Sequence, residues 1–252
     1  MTTLATLVRG GTGPVLDVAR SFLVTRQDRE SRRYVRLGVL SEHGDGWTFR
    51  YFSEVERDPA VPRLPGFPDA AVVAESPFLF PLFAQRVISR RRPDRARILE
   101  TLGLGETATA FEILARNGGR RQGDTIELIQ MPTPHPGGGE VLEFLVHGVR
   151  HRSDQEQRAI DGLSIGDELL IVPEPSNPVD PGARLVTTRE GADLGWVPGP
   201  LLPLLERAGA VSADVAHANR IGTNPHLRLR VRLRGELIRA AHFDDPRWDL
   251  VG

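Results

Sequence analysis

The chain lacks both cysteine and lysine over its 252 residues. Without cysteine, disulfides and thiolate zinc sites are excluded. Without lysine, phosphate-loop lysines and Schiff-base chemistry are excluded as well. All 32 residues in the Lys+Arg class are therefore arginines. A cluster of arginines is weaker evidence for a polyanion ligand here, because arginine is the only basic side chain available to keep the surface soluble.

Strong net charge and long apolar runs are also missing. The formal net charge is -1, so any attraction for a polyanion must be local. A membrane-spanning helix needs about 20 consecutive apolar residues, and no segment of the sequence has a run of that length. Residues 1–16 lack the apolar core of a signal peptide. We therefore expect a cytoplasmic protein with no membrane partner. The seven histidines show no metal-ligand spacing, which predicts neither a metal nor a cofactor.

A proline- and glycine-rich stretch without hydrophobic periodicity, residues 131–139, divides the chain. We predict an α+β fold: an α+β domain over 15–131, a linker over 132–140, a small OB- or SH3-like β-barrel with one helix over 141–240, and a tail over 241–252. In the first domain, strand patterns at Tyr34–Leu40 and Trp47–Phe52 precede three helical patterns, the last ending at Asn117-Gly118. Strands in the second domain are predicted over Val141–Val149, Glu168–Val172, Arg184–Thr188 and Leu227–Leu237, with a helix over Gly199–Ala208.

A turn in the second domain carries the most distinctive chemistry. Two β-prone segments flank the run Glu174-Pro175-Ser176-Asn177-Pro178-Val179-Asp180, and Gly195-Trp196-Val197-Pro198 follows. Proline fixes φ, while asparagine and aspartate can hydrogen-bond their own backbone. The pattern therefore predicts an amide and a carboxylate, Asn177 and Asp180, held at one edge of the β-structure.

Apolar residues and arginines alternate strictly over Leu227–Arg234. A strand places these arginines on one face, about 6.5–7 Å apart, which is close to the spacing of phosphates along a nucleic-acid strand. The alternative is a solvated edge, or pairing with acids on a neighbouring strand. The sequence leaves both open for the four candidates, Arg228, Arg230, Arg232 and Arg234.

Two further basic clusters are candidate anion or partner patches. One, Arg90, Arg91 and Arg92, follows a predicted helix, where a solvated helix end is the alternative. The other, Arg120 and Arg121, lies in a glycine-flanked loop, where a simple helix cap is the alternative.

The run Gly162-Leu163-Ser164-Ile165-Gly166 matches the nucleophile-elbow pattern of serine hydrolases. That motif needs a strand before it and a helix after it. A strand is predicted to follow here, so we expect no catalytic role for Ser164.

Residues 141–237 contain four motifs that occur in one order: His147-Gly148-Val149-Arg150, the corner Gly166–Leu169, the turn Asn177–Asp180, and Gly195–Pro198. Through these motifs the segment resembles a HIRAN domain. The resemblance implies a small barrel that binds the 3′ end of single-stranded DNA. By position it implies that Arg150 binds phosphate, that His151 stacks on a base and that Asp180 hydrogen-bonds the terminal hydroxyl; Asn177 and Trp196 belong to the same motifs. The chain departs from the family at Val179, often a tyrosine, and at Pro198-Gly199, where basic residues are expected.

Residues 36–129 contain three further motifs, Gly46–Tyr51, Leu79–Ala84 and Leu114–Arg120. Through these motifs the segment resembles the first subdomain of HipA-type toxin kinases. The catalytic aspartates and lysine of those kinases have no counterpart in this chain. The resemblance therefore implies a docking module for a protein partner and not phosphoryl transfer.

These observations predict a non-enzymatic nucleic-acid-binding protein whose ligand is single-stranded DNA or DNA ends. The alternative is a protein-interaction adaptor of a toxin-like or phage-related system that does not bind DNA, favoured by the apolar character of Phe78–Leu82. A hydrolase is a third possibility for which no catalytic constellation can be assembled.

Overall fold

The computed structural model describes residues 20–31, 33–208, 211–237 and 249–251. The α-helices are α1 (Ser53–Arg57), α2 (Pro81–Ala84), α3 (Arg95–Thr101), α4 (Ala110–Asn117), α5 (Asp154–Asp161) and α6 (Leu202–Arg207). The strands are β1 (Ser21–Gln27), β2 (Tyr34–His43), β3 (Gly46–Tyr51), β4 (Ala74–Ser76), β5 (Ile126–Gln130), β6 (Thr133–Pro134), β7 (Glu140–Leu145), β8 (Glu168–Pro173), β9 (Arg184–Thr188), β10 (Asp193–Trp196), β11 (Ser212–Ala218) and β12 (Leu229–Gly235). Short 3₁₀ helices lie at Val149–His151, Gly199–Leu201 and Pro225–Leu227.

The first sheet is antiparallel, with the strand order β4-β3-β2-β1-β5. Alternation in β3 explains its orientation: Trp47, Phe49 and Tyr51 are buried, while the residues between them are partly exposed. Helix α4 packs onto this sheet, with the rings of Phe111 and Phe22 only 4.4 Å apart between centroids. The predicted end of α4 is confirmed, because Gly118 caps it with a left-handed φ of 67°.

The second sheet is also antiparallel, with the strand order β10-β9-β8-β11-β12-β7-β6. Just after β7, His147 pairs with Trp196 of β10 through two backbone hydrogen bonds of 2.9 Å each. The sheet therefore bends until its two sides meet at this one bridge. The predicted α+β class is confirmed. The barrel is not closed by a continuous ladder within the described ranges.

The predicted linker is instead a β-hairpin. Thr133 and Pro134 pair with Val141 and Glu140, so β6 and β7 are neighbouring strands of the second sheet. The turn between them is closed by a hydrogen bond of 3.0 Å from the His135 N–H to the Gly139 carbonyl. The glycines that suggested flexibility make a tight turn here.

The predicted tail also requires correction over the part that the structure describes. Leu250 forms a bridge with Phe52, and the Val251 N–H donates to the Tyr51 carbonyl at 3.1 Å. Residues 249–251 thus return to the first sheet from the far end of the sequence. Residues 241–248 and 252 of the predicted tail lie outside the described residues, as do residues 15–19 of the predicted first domain.

Over its described residues, the second half contains two α-helices, α5 and α6, where the sequence pattern predicted one. Helix α5 starts with a capping box, in which the Ser153 hydroxyl and the Glu156 carboxylate bond each other's backbone N–H groups. Ser-x-x-Glu is a recognisable start of a helix, so this helix could have been predicted. No helix in the described part of the chain has both the length and the apolar character that crossing a bilayer requires.

Candidate nucleic-acid interface

Three segments of the second sheet meet around Trp196 at the end of β10. We call this surface the rim; it consists of Gly148–Arg152, Glu174–Asp180 and Trp196. The Trp196 Nε1–H donates to the Glu174 carboxylate at 2.6 Å, and the Asn177 amide donates to the same oxygen at 2.6 Å. These two bonds lower the pKa of Glu174 and hold the loop between β8 and β9 against β10.

Gly148 brings the other side of the rim into contact with the indole. Its φ is 73°, and an added Cβ would lie 2.4 Å from the Trp196 ring. Only glycine therefore permits this approach. The chain then turns into the 3₁₀ helix Val149–His151, and the Arg152 guanidinium lies over the Trp196 ring, 3.9 Å from its centroid.

The packing of Trp196 changes the role that the sequence suggested for it. The half-buried ring already contacts Arg152 and Gly148, so a nucleobase could stack on the face that Arg152 covers only if that guanidinium moved. Trp196 is therefore a support of the rim. Arg152 is a rim residue that sequence reasoning missed, although it directly follows the predicted pair Arg150 and His151.

Arg150 and His151 lie next to each other and are exposed at the rim. The Arg150 Nε–H donates to His151 Nε2 at 3.0 Å. Within the described ranges, no carboxylate lies at ion-pair distance from Arg150. These two side chains are therefore available to an anionic ligand.

The predicted turn chemistry at Asn177 and Asp180 is present. The Asn177 side-chain oxygen accepts hydrogen bonds from the backbone N–H groups of Val179 and Asp180 at 3.0 and 3.1 Å. One Asp180 carboxylate oxygen accepts from the Gly182 N–H at 2.9 Å. The side chain of Asp180 is exposed, so the turn fixes a carboxylate in solvent beside the amide that ties the loop to Trp196.

The arginine strand is not a free basic face. Arg228 precedes β12, is 2% exposed and binds Asp161 at 2.9 Å; Arg230 is 5% exposed and binds Glu143 at 3.1 Å. Arg232 binds both Glu143 and Asp214, and Arg234 binds Asp214. The structure thus shows the alternative that the sequence left open, which is pairing with acids.

The register of the sheet explains this neutralisation. Strand β12 lies between β11 and β7, and Arg232 faces Asp214 on one side and Glu143 on the other. An arginine row on a central strand meets neighbours on both sides, whereas the phosphate-binding interpretation needed an open face. We therefore exclude these four arginines from the proposed interface.

The members of the other two basic clusters differ in their contacts. Arg90, Arg91 and Arg92 are exposed, and Arg92 binds Asp94 at 2.7 Å. Neighbours in sequence, Arg120 and Arg121 have separate partners: Arg120 reaches His226 Nδ1 at 2.8 Å, and Arg121 reaches Gln85 at 2.5 Å. Arg120 therefore belongs to the surroundings of His226, and Arg121 to the end of α2.

Comparisons with known proteins show no family for this chain. No family model matches it, and no curated protein matches it. The crystal structure of the HIRAN domain of human HLTF is similar over 44% of this chain and 92% of that one, with 19% identity and a TM-score of 0.30. A TM-score this low carries no argument about function. The HipA-type resemblance has no support from these comparisons and stays a prediction.

Sequence reasoning did not predict a polar cluster that surrounds a buried carboxylate between the two sheets. We call it the carboxylate junction; it consists of Tyr34, Arg120, Glu127, His147 and His226. Glu127 of β5 is 2% exposed, and its carboxylate lies 2.8 Å from His147 Nε2. The Tyr34 hydroxyl lies 3.4 Å from the other nitrogen of the same imidazole. The sequence contained one signal of this cluster, because Glu127 is a lone acid in the mostly apolar strand Ile126–Gln130.

Two pKa values in the junction are strongly perturbed. Burial alone would raise the pKa of Glu127, but the charge and hydrogen bond of His147, with Arg120 and His226, lower it to about 2. Burial and then Arg120 lower the pKa of His226 to about 3, although Glu127 opposes this. The junction therefore keeps an ionised carboxylate and a neutral imidazole where the two sheets meet.

Proposed function

We propose that the rim binds single-stranded nucleic acid, with DNA 3′ ends as the expected ligand, and that the protein has no catalytic activity of its own. One observation carries the proposal. Arg150 and His151 lie side by side and exposed on a short 3₁₀ helix that is fixed against Trp196 and the Asn177 loop. An arginine that has no acidic partner among the residues the structure describes, on a short helix held in place, is suited to binding a phosphate.

The rim also contains groups suited to the sugar and the base at the end of a strand. The His151 ring is exposed and is a candidate for stacking on a base. The Asp180 carboxylate is a fixed acceptor for a terminal hydroxyl. In this proposal Glu174 and Trp196 position these groups and do not contact the ligand directly. Arg152 also supports the rim, and it reaches the ligand only if its guanidinium moves off the indole.

The loss of the arginine strand from the interface limits the expected affinity. One or two phosphate contacts remain, from Arg150 and, if it moves off the indole, Arg152. For single strands, log K falls with log salt concentration with a slope of roughly −0.7 per phosphate contact. We therefore expect weak binding with a slope of about −0.7 to −1.4.

Fluorescence polarisation with labelled oligonucleotides tests the proposal. The oligonucleotides carry a free or a phosphorylated 3′ end and are titrated over a salt series. Arg150→Ala should lower affinity about tenfold and flatten the salt slope by about 0.7. Arg189→Ala is the matched control, because Arg189 is an exposed arginine paired with Glu168. No binding at micromolar protein, or equal loss in both variants, would contradict the proposal.

A docking role for the first sheet is the second candidate, and one observation favours it. Phe78 is 78% exposed and Val72 is 55% exposed on the connections flanking β4. Single exposed apolar side chains are common, but a phenylalanine this exposed is suited to a protein contact. A stable partner that is lost in Phe78→Ser, combined with no oligonucleotide binding by the intact chain, would favour the adaptor function.

A further inference from the structure

A cavity of about 590 Å³ opens beside the first sheet, and none of the rim residues lines it. Its wall is formed by the end of β1, by the residues around α2 and by the loop that leads into β5. Ligand pockets in proteins are typically about 300–1,000 Å³. The cavity is therefore large enough for a small molecule with a ring.

One side of the cavity is apolar. Phe67 is 6% exposed, and its ring packs edge-on against Phe80 with centroids 5.0 Å apart. Pro65, Leu82 and Ile126 extend the same wall. An apolar body would find a preformed surface here.

The cavity is also lined by four basic residues, Arg26, Arg29, Arg86 and Arg121. Asp124 is the one carboxylate among the described residues that line the cavity. It already binds Arg86 through one oxygen and the Ile126 N–H through the other. The cavity therefore has three positive charges in excess of its negative charge, which favours an anion.

A buried arginine, Arg86, is the main argument that the cavity is a binding site. The residue is 4% exposed, and its guanidinium binds Asp124 and the Leu82 carbonyl. Its Nε is buried without a hydrogen-bond partner among the described residues. A buried guanidinium with one carboxylate partner and an unsatisfied Nε is costly for the fold, and a negative charge in the adjoining cavity would offset part of that cost through its electrostatic attraction.

We propose that this arginine cavity binds a small amphipathic anion. The apolar, ring-sized body lies against Phe67 and Phe80, and the anionic head lies beside Arg86 and Arg121. A carboxylate and a phosphate share this chemistry, because the arginine fork binds either one with two hydrogen bonds. The site is separate from the rim, so the proposal does not depend on nucleic-acid binding.

Dye binding to the intact chain tests the proposal. Anilinonaphthalene sulfonate is an aromatic anion, and N-phenylnaphthylamine is a neutral molecule of similar shape. The anionic dye should bind at least tenfold more tightly than the neutral one. Competition with benzoate, octanoate, thymidine monophosphate and inorganic phosphate then separates carboxylate from phosphate ligands. Displacement by inorganic phosphate alone would overturn the requirement for an apolar body.

Exposed cavity residues provide variants that leave the buried network intact. Arg121→Ala and Arg29→Ala should each weaken binding of the anionic dye about tenfold and leave the neutral dye unchanged. Arg90→Ala and Phe78→Ser are the controls, because both side chains are exposed and outside the cavity lining. Equal binding of the two dyes, no effect of the cavity variants, or displacement by an oligonucleotide would each overturn the proposal.

Discussion

Gly148 has a left-handed φ of 73°, and its backbone lies so close to Trp196 that an added Cβ would be 2.4 Å from the ring. A side chain there meets two separate costs. The left-handed backbone costs an ordinary residue about 1–2 kcal/mol, and overpacking against a supported ring costs about 1–3 kcal/mol more. The position shows how one residue fixes the distance between the 3₁₀ helix and β10.

The Gly148→Ala variant should therefore lower the free energy of unfolding by about 2–5 kcal/mol, measured by urea denaturation. Gly191→Ala separates the two costs, since Gly191 has a φ of 86° and no heavy atom within 4 Å of an added Cβ. It should cost only about 1–2 kcal/mol. Equal losses in the two variants would show that the indole gives way and that the contact does not define the rim.

At the scale of elements, β12 shows what a sequence pattern can and cannot predict. The alternation over Leu227–Arg234 correctly predicted a strand, since β12 spans Leu229–Gly235. It did not predict the acids that face that strand. One neighbour, β11, precedes β12 directly, but the other, β7, lies far away in sequence. The turn Asn177–Asp180 was predictable because its hydrogen bonds are local.

The acid opposite β12 is predicted to be essential to the fold. Glu143 contacts three arginines, Arg116, Arg230 and Arg232, and its side chain is 16% exposed. Glu143→Gln removes the anion but keeps the shape, leaving these guanidinium groups without their common partner. We expect a loss of about 3–5 kcal/mol in the free energy of unfolding, because breaking a buried ion pair leaves an uncompensated charge.

The exposed pair of Glu168 and Arg189 provides the comparison for this prediction. Their side chains are 54% and 63% exposed, so Glu168→Gln should change the free energy of unfolding by less than about 1 kcal/mol. Denaturant titrations of both variants check the difference. A small effect of Glu143→Gln would mean that water already screens the arginines of β12, and that their exclusion from the interface needs revision.

At the scale of the whole molecule, the two predicted halves share one core. Buried residues of both sheets, including Phe22, Phe49, Phe144 and Val231, belong to one contiguous cluster. The composition change at residues 131–139 gave no indication that the two sheets contact each other. Residues 249–251 and the carboxylate junction connect distant parts of the sequence, so no local pattern could reveal which residues meet there. The lone acid in β5 indicated one member of the junction but not its partners.

The carboxylate junction makes acid stability a property of this shared core. Because the pKa of His226 is lowered to about 3, the unfolded chain takes up a proton below its ordinary value of 6.5 and the folded chain does not. The contribution of His226 to the free energy of unfolding is therefore complete above pH 6.5, and it is lost as the pH falls toward 3. Below its ordinary value of 4.5, Glu127 adds a loss of the same sign, since its folded pKa is about 2.

Urea denaturation between pH 5 and 8 should show this dependence on His226. Its contribution to the slope of unfolding free energy against pH approaches about 1.4 kcal/mol per pH unit below pH 6. His226→Gln should remove this contribution whatever its effect on absolute stability, because glutamine does not titrate. His151→Gln, which replaces an exposed histidine outside the junction, is the matched control. If His226→Gln leaves the slope unchanged, the imidazole is protonated in the fold, and the junction does not hold it neutral.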